Sequence, residues 1–351
     1  MYSNPPELPS DAPPATREDQ LAIRVRDAVK LAVDQFNRAN PQCTVTVTTP
    51  DTKHDDKNAG VVAKSIVKDP TVLASVVASY SSEVNHIAPV YQGAGLGFVV
   101  PLSKAPGLNQ GNKWSTFNRV SGDDQMAGRS IPKFLQDTLD AQHVLLIGDG
   151  EGHSPGIDKQ VVSALGDKLV AQLVVPRDTK DFSDLTGEIA AKQPDAVYFS
   201  GDPRFGGTVL TAIRDGGYTG TVILTESLYE ARFMITGSNA AEGALFGCTC
   251  APPDGNPEMT GGPEFHDAYV KKYHVEPTDY AAEAFDATLI ILNGLKDGAS
   301  NRADMATFIR SYSGPGITKD LSFNDDGDIT GDPYFVYTMK DGKPQFTAFV
   351  R

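Results

Sequence analysis

The chain alternates between two hydrophobic periods. Residues 17–40, REDQLAIRVRDAVKLAVDQFNRAN, place Leu21, Val25, Val29, Val33 and Phe36 on one helical face, with Thr16 as the predicted N-cap. CTVTV at 43–47 then reads as a strand, 58–69 as a helix, TVLASVVAS at 71–79 as a strand, the stretch after Ser82 as a helix and LGFVVP at 96–101 as a strand. The alternation resumes with HVLLIGD (143–149), a helix, LVAQLVVP (169–176), a helix from Phe182, AVYFSGD (196–202), a helix from Phe205 and TVILTES (221–227). Short apolar strands separated by helices predict parallel sheets covered on both faces, here an α/β chain of two doubly wound units joined by more than one strand. Helices are expected near 263–275, 280–296 and 302–312. A tail of turn-linked strands follows, in which KDGK at 340–343 joins YFVYTM to QFTAFV.

At 351 residues the chain is too long for one ordinary core, in keeping with two domains. Its 40% hydrophobic and 22% charged residues are those of a globular protein. The 45 acidic against 31 basic residues give a formal charge of −14, which argues against nucleic acid as a partner and says little about small ligands. No apolar run has the length of a membrane span, and no basic segment followed by an apolar core marks a signal peptide at the N-terminus.

Metal chemistry finds little support. Asn324, Asp325, Asp326 and Asp328 surround Gly327, but an EF-hand register with Gly327 sixth puts Pro333 at the twelfth position, where a bidentate Glu is needed. A tight turn built from Asp, Asn and Gly is the preferred reading. Of the three cysteines, Cys248 and Cys250 alternate in GCTC and Cys43 opens a predicted strand. None of His54, His86, His143, His153, His266 or His274 makes a zinc pair with them, so small buried thiols are expected; a disulfide from Cys43 to either of the others stays open.

Doubly wound sheets bind ligands at the carboxyl ends of their strands. There GHSPG, residues 152–156, fits G-x-S-x-G and nominates Ser154 as a hydrolase nucleophile. Pro155, however, lacks the N–H that the oxyanion hole takes from the residue after the nucleophile, and the last histidine, His274, lies far from the C-terminus for a triad partner. The glycines at 148, 150, 152 and 156 miss the dinucleotide spacing, and no phosphate-cradling P-loop occurs, so no cofactor is expected. What remains is a set of polar strand-end residues without a reactive constellation: Ser81, Ser82, Ser103, Lys104, His153, Ser154, Asp202, Thr225 and Glu226. Singly each reads as a cap or a solvated turn; together they suggest a polar cleft.

The order of RDAVKLAVDQFN, VVASYSSEVNHIAPVYQGAGLGFVVPLSKAP, FNRVSGDDQMAG, LIGDGEGHSPG, VYFSGDP, AAEGALFG, YAAEAFDA and FNDDGDITGDPYFVYTMKDGK resembles the type I periplasmic binding proteins, closest to the branch serving branched-chain amino acid and amide uptake. The resemblance runs from about residue 20 to the C-terminus. It implies two Rossmann-like lobes joined by three crossovers, near 119–121, 248–251 and 327–332. One lobe would comprise 1–119 and 251–327, the other 120–250 and 328–351. It also implies a non-catalytic receptor that closes on a ligand by a hinge and delivers it to the membrane subunits of an ABC transporter.

By the same resemblance Ser81 or Ser82 would hold the anionic or carbonyl end of an amino acid-like ligand, with Leu102, Ser103 and Lys104 following, and Glu226 would hold the ammonium. His153 and Ser154 stand where relatives have Tyr-Gly, Asp202 where an aromatic is expected, and Lys104 where a small hydroxyl residue is usual. Relatives open with a strand at the centre of the first lobe, of which only MYSN could be the end here. The implied location is extracytoplasmic, with a signal sequence, with or without a lipoprotein linker, and most of that strand removed or upstream. A ligand-sensing domain of a larger regulatory protein and an enzyme, Ser154-dependent or nucleotide-dependent, are the alternatives.

Overall fold

In the computed structural model, residues 14–151, 154–225, 239–331 and 333–350 are described, the side chains of 14–20, 154, 203, 204 and 239 excepted. The chain divides into two compact units, 1–121 with 251–330 and 122–250 with 331–351, and changes unit three times. Among the described residues no helix is long and apolar enough to cross a membrane.

The first unit begins with α1 (Pro14–Ala39), whose buried stripe includes Val25, Ala28, Leu31 and Phe36. Thr16 lies inside this helix and not at its cap, because Pro14, with its φ already helical and no N–H to satisfy, starts the helix two residues earlier. Helix α2 (Asp56–Ile66) is capped by Asp55, whose Oδ1 accepts from Asn58 N at 2.6 Å. Then come β1 (Ala74–Val76), α3 (Ser81–Gly93), β2 (Gly97–Val100) and β3 (Phe117–Arg119), the strands forming a parallel sheet in the order β1-β2-β3. Val84, Ile87, Tyr91, Phe98 and Phe117 build the core between α3 and this sheet.

CTVTV is not a strand. Among the described residues 44–47 have no paired strand neighbour, and Val45 is bracketed by the Asn37 amide, which donates to Val45 O and accepts from Val45 N, both at 2.8 Å. Alternating valines supply the pattern of a strand but not the ladder, which needs a second backbone. Conversely β3, with Asn118 and Arg119 among its three residues, carries no apolar signal and is set by its neighbour β2.

The second unit contains α4 (Met126–Lys133), β4 (Val144–Gly148), α5 (Ser154–Leu165), β5 (Leu169–Val174), α6 (Ser183–Lys192), β6 (Ala196–Ser200), α7 (Pro203–Asp215), β7 (Thr221–Leu224) and β8 (Leu245–Cys248). Strands β8-β7-β6-β4-β5 are parallel, and β4, β6 and β7 are buried over almost their whole length, as a sheet covered on both faces requires.

The chain returns to the first unit with α8 (Gly262–Tyr273), α9 (Ala281–Lys296), which packs on α1, α10 (Arg302–Arg310), and the antiparallel pair β9 (Ser313–Pro315) and β10 (Asp320–Ser322). It ends in the second unit with β11 (Tyr334–Lys340), antiparallel to β8, and β12 (Lys343–Val350). Asp341 and Gly342, at φ 51° and 71°, make the tight turn expected at KDGK.

The acidic knot before β11 is a turn. Asn324 Oδ1 accepts from the backbone N–H groups of Asp326 and Asp328 at 2.9 and 3.0 Å, and Asp328 pairs with buried Arg119. Gly327 has φ 80°, and a Cβ there would lie 2.1 Å from Phe117 O. Gly327→Ala is therefore expected to lower stability by about 1–3 kcal/mol, measured by thermal or urea unfolding, since it combines a disfavoured φ with a backbone collision.

The reading of free, buried thiols is corrected. Cys248 and Cys250 are fully buried but joined in a disulfide, and Cys43 is exposed. In a straight strand two Cα atoms one residue apart would be roughly 6.6 Å distant. Because β8 ends at Cys248 and the chain bends at Thr249, the Cα atoms approach to 5.1 Å, within disulfide reach.

Candidate functional site

Each unit presents its own set of polar groups at the carboxyl ends of its parallel strands. In the first, the segment after β1 leads into α3 and the segment after β2 carries residues 101–105, and side chains tie the two together. Ser103 Oγ donates to Ser79 O, and Ala105 N donates to Ser81 Oγ at 3.1 Å. Arg119, at the end of β3, adds the third strand: its Nη1 donates to Ser103 O at 3.1 Å and to Ala105 O at 3.0 Å. Ser81, Leu102, Ser103 and Lys104 are thus brought to one end of one sheet, with Ser82 beside them. Leu102 and Ser103 are buried, Ser81 and Lys104 half-buried and Ser82 exposed. The Lys104 ammonium stands 6.0 Å from the Tyr280 ring centroid, a cation–π arrangement at the start of α9.

In the second unit Asp202 follows β6 after Gly201. Its N–H donates at 2.7 Å to Asp149, the residue after β4, and its Oδ2 lies 3.4 Å from Arg177 Nη1. Asp149 also accepts from Glu151 N at 3.0 Å and from Arg177 Nε at 2.8 Å. Burial pushes the Asp149 carboxyl up, but the backbone donors of Glu151 and Asp202 and the Arg177 guanidinium reverse this and hold it below the usual carboxylate range. Asp149 is therefore an ionised organiser of the strand ends. Beneath it, Asp158 on α5 is buried, and that burial lifts it to about 6 despite the neighbouring Ser200 hydroxyl, the Asp149 charge adding to the rise.

Of the residues picked from the sequence, His153 and Glu226 lie outside the described residues, and Ser154 opens α5 with its side chain likewise outside them. Asp202 is at a strand end as expected, and Thr225 follows β7 with its N–H on Phe199 O at 3.2 Å. The sequence reading missed Glu83, Arg119, Asp149 and Arg177. For Arg119 the sequence offered only a charge beside Asn118 in FNRV, and for Asp149 a position immediately after the strand VLLIG.

The family model described as "Periplasmic binding protein" matches residues 19–344. The Leu/Ile/Val-binding protein BraC3 of Rhizobium johnstonii is 25% identical over 345 residues, 95% of this chain and 90% of that protein. Among solved structures, a putative branched-chain amino acid ABC transporter from Rhodospirillum rubrum superposes with a TM-score of 0.79 at 20% identity, covering 93% of this chain and 95% of the other. The branched-chain amino acid transporter substrate-binding protein LivJ from Streptococcus pneumoniae, in complex with isoleucine, superposes with a TM-score of 0.72 at 23% identity, covering 93% and 94%. These structures share the type I periplasmic-binding-protein fold. With the polar groups gathered at strand ends and a family match spanning nearly the whole sequence, the chain belongs to the periplasmic binding proteins, a family of non-catalytic solute receptors.

Proposed function

We propose that the chain is the extracytoplasmic solute-binding component of an ABC transporter and captures an amino acid or a closely related small polar molecule. The observation that carries this reading is the similarity along nearly the whole chain to Leu/Ile/Val-binding proteins. Polar strand-end residues in each unit support it. Ser81, Ser82, Leu102, Ser103 and Lys104 in the first unit, and His153, Ser154, Asp202 and Glu226 in the second, are the proposed ligand-contacting residues. A site for a charged head must supply partners of the opposite sign, because burying an uncompensated charge costs several kcal/mol. Lys104 and Asp202 provide one of each. The buried Cys248–Cys250 disulfide supports a location in an oxidising compartment outside the cytoplasm.

The test is a thermal-shift panel of amino acids, their amides, amines and small carboxylates on the whole chain. A true ligand at about a hundred times its dissociation constant stabilises the fold by about 2.7 kcal/mol and raises the melting temperature accordingly. Asp202→Ala or Lys104→Ala should reduce the shift of the best hit. A panel in which nothing shifts the melting point would count against the receptor reading.

A further inference from the structure

The chain passes from the second unit to the first at Cys250–Ala251. Cys248, Thr249, Cys250 and Ala251 are each no more than 1% exposed. The segment is held at both ends. Cys248 faces Phe335 in the β8–β11 ladder, Cys250 O accepts from the Tyr337 hydroxyl at 2.7 Å, and Ala251 N donates to Glu283 Oε1 at 2.6 Å. The first two anchors belong to the second unit and the third to the first. Pro252 and Pro253 follow, each with its φ fixed by the ring. The third crossover, Thr330–Gly331, is built differently: both residues are exposed, and Gly331 sits at φ 71°.

The disulfide decides the path between those anchors. GCTC alternates as a strand does, and nothing in that pattern stops β8 from running straight on through Cys250. The bridge prevents it, since it holds the two Cα atoms 5.1 Å apart, nearer than an extended segment allows. The bend sets Thr249 against Gly122, where a Cβ would lie 2.8 Å from Thr249 Cγ2. The first crossover, Ser121–Gly122, therefore packs on the second. A ring closed over so few residues removes little entropy from the unfolded chain, so the bond acts mainly on local freedom. Two cysteines with one residue between them also meet without any fold. Once folded, both are shut off from solvent and from dissolved thiols.

We propose that the Cys248–Cys250 disulfide is an oxidation-set lock on the second crossover. It forms in the unfolded chain, is sealed by folding, and holds 248–251 as a stiff link between the units; a chain folded without an oxidant carries a looser link. With oxidised glutathione as the oxidant, one cysteine thiolate displaces a glutathione thiolate to give a mixed disulfide, and the second cysteine displaces the other. Two protein thiols and one glutathione disulfide thus become one protein disulfide and two glutathione thiols. The lock is a property of the chain path and not of any solute.

The experiment unfolds the whole chain in urea with dithiothreitol and refolds it either with oxidised glutathione or in dithiothreitol. Thiols are counted by alkylation in denaturant and mass spectrometry. The oxidised chain should show one alkylated cysteine, Cys43, and the reduced chain all three. Hydrogen exchange then compares the two forms: the amides of 248–251 should exchange about tenfold faster in the reduced chain, with those of β4 and β6 unchanged. Folded oxidised chain held in dithiothreitol should keep its bridge and lose it when urea is added. Equal exchange at 248–251 in both forms overturns the proposal, as do three free thiols after refolding with oxidised glutathione, or reduction of the folded chain as fast as the unfolded one. Should the reduced chain fail to fold, the double variant Cys248→Ala, Cys250→Ala replaces it. Faster exchange at 248–251 in that variant supports the lock; exchange equal to that of the oxidised wild type, or a variant that also fails to fold, overturns it.

Discussion

Replacing Arg119 with alanine should destabilise the first unit by about 3–5 kcal/mol, the usual result of removing one member of a buried, hydrogen-bonded ion pair. Arg119 is 1% exposed and uses all three guanidinium nitrogens. Nε donates to Asp328 Oδ1 at 2.8 Å, Nη2 reaches the same oxygen at 2.7 Å, and Nη1 holds the carbonyls of Ser103 and Ala105. Its own N–H donates to Gly327 O at 2.7 Å. One side chain therefore joins β3, the 326–328 turn and the loop carrying Lys104. Removing it leaves the partly buried Asp328 carboxylate and two carbonyls without their donor. Arg119→Lys should recover only part of the loss, since an ammonium is a point charge without the planar fork that reaches Asp328 and the loop together. Urea or thermal unfolding measures both variants. A loss below about 1 kcal/mol for Arg119→Ala would show that water replaces the guanidinium.

Lys319→Met should produce a loss of similar size that depends on pH. Glu283 and Asp286, one turn apart on α9, are fully buried, and Lys319 Nζ lies 4.0 Å from Glu283 Oε1. Glu283 Oε1 accepts from Ala251 N at 2.6 Å, and Asp286 accepts from the N–H groups of Ile317 and Thr318 at 2.8 and 3.1 Å. Burial is the main reason Glu283 is pushed up to about 7, with Lys319 and the Ala251 N–H pulling it back. Burial likewise lifts Asp286 to about 6 against its hydrogen bonds with Thr318 and Ile317.

A carboxyl whose folded value lies above its unfolded one contributes stability below the unfolded value, about 4.3 for Glu, and loses it as pH rises through the folded value. Removing the lysine raises Glu283 further. At pH 8 the variant must then bury an uncompensated charge or a proton held against the solution, at about 3–5 kcal/mol. At pH 5, where Glu283 is protonated in both proteins, the difference should shrink toward zero. Unfolding curves for wild type and variant at pH 5, 6, 7 and 8 give the profile. A pH-independent difference would mean that Lys319 acts through packing alone.

Both clusters contain residues the sequence shows in plain view, the Arg of FNRV and the two acids of YAAEAFDA, yet neither could be read as a cluster. Arg119 and Asp328 are 209 positions apart, and Glu283 meets Lys319 only because the segment after β9 folds back on α9. Glu83 was likewise not singled out from the sequence, although one of its oxygens caps α3 by accepting from Tyr80 N. The cysteine pair illustrates the same limit, because whether neighbouring thiols meet depends on where β8 stops.

What the sequence determined by itself is the succession of helices and strands in β4–β7, α1–α3 and α5–α10, and through it the α/β class. Those segments are long or fully apolar, so their periodicity follows from which face must leave water. The resemblance also pointed to the family before any fold was seen. Only the tertiary structure decided that 44–47 has no strand partner among the described residues while the polar FNR becomes a strand, because a ladder is a property of two segments and not of one. It also decided which charges are buried, and with which partners, because desolvation depends on what the rest of the chain places around a group.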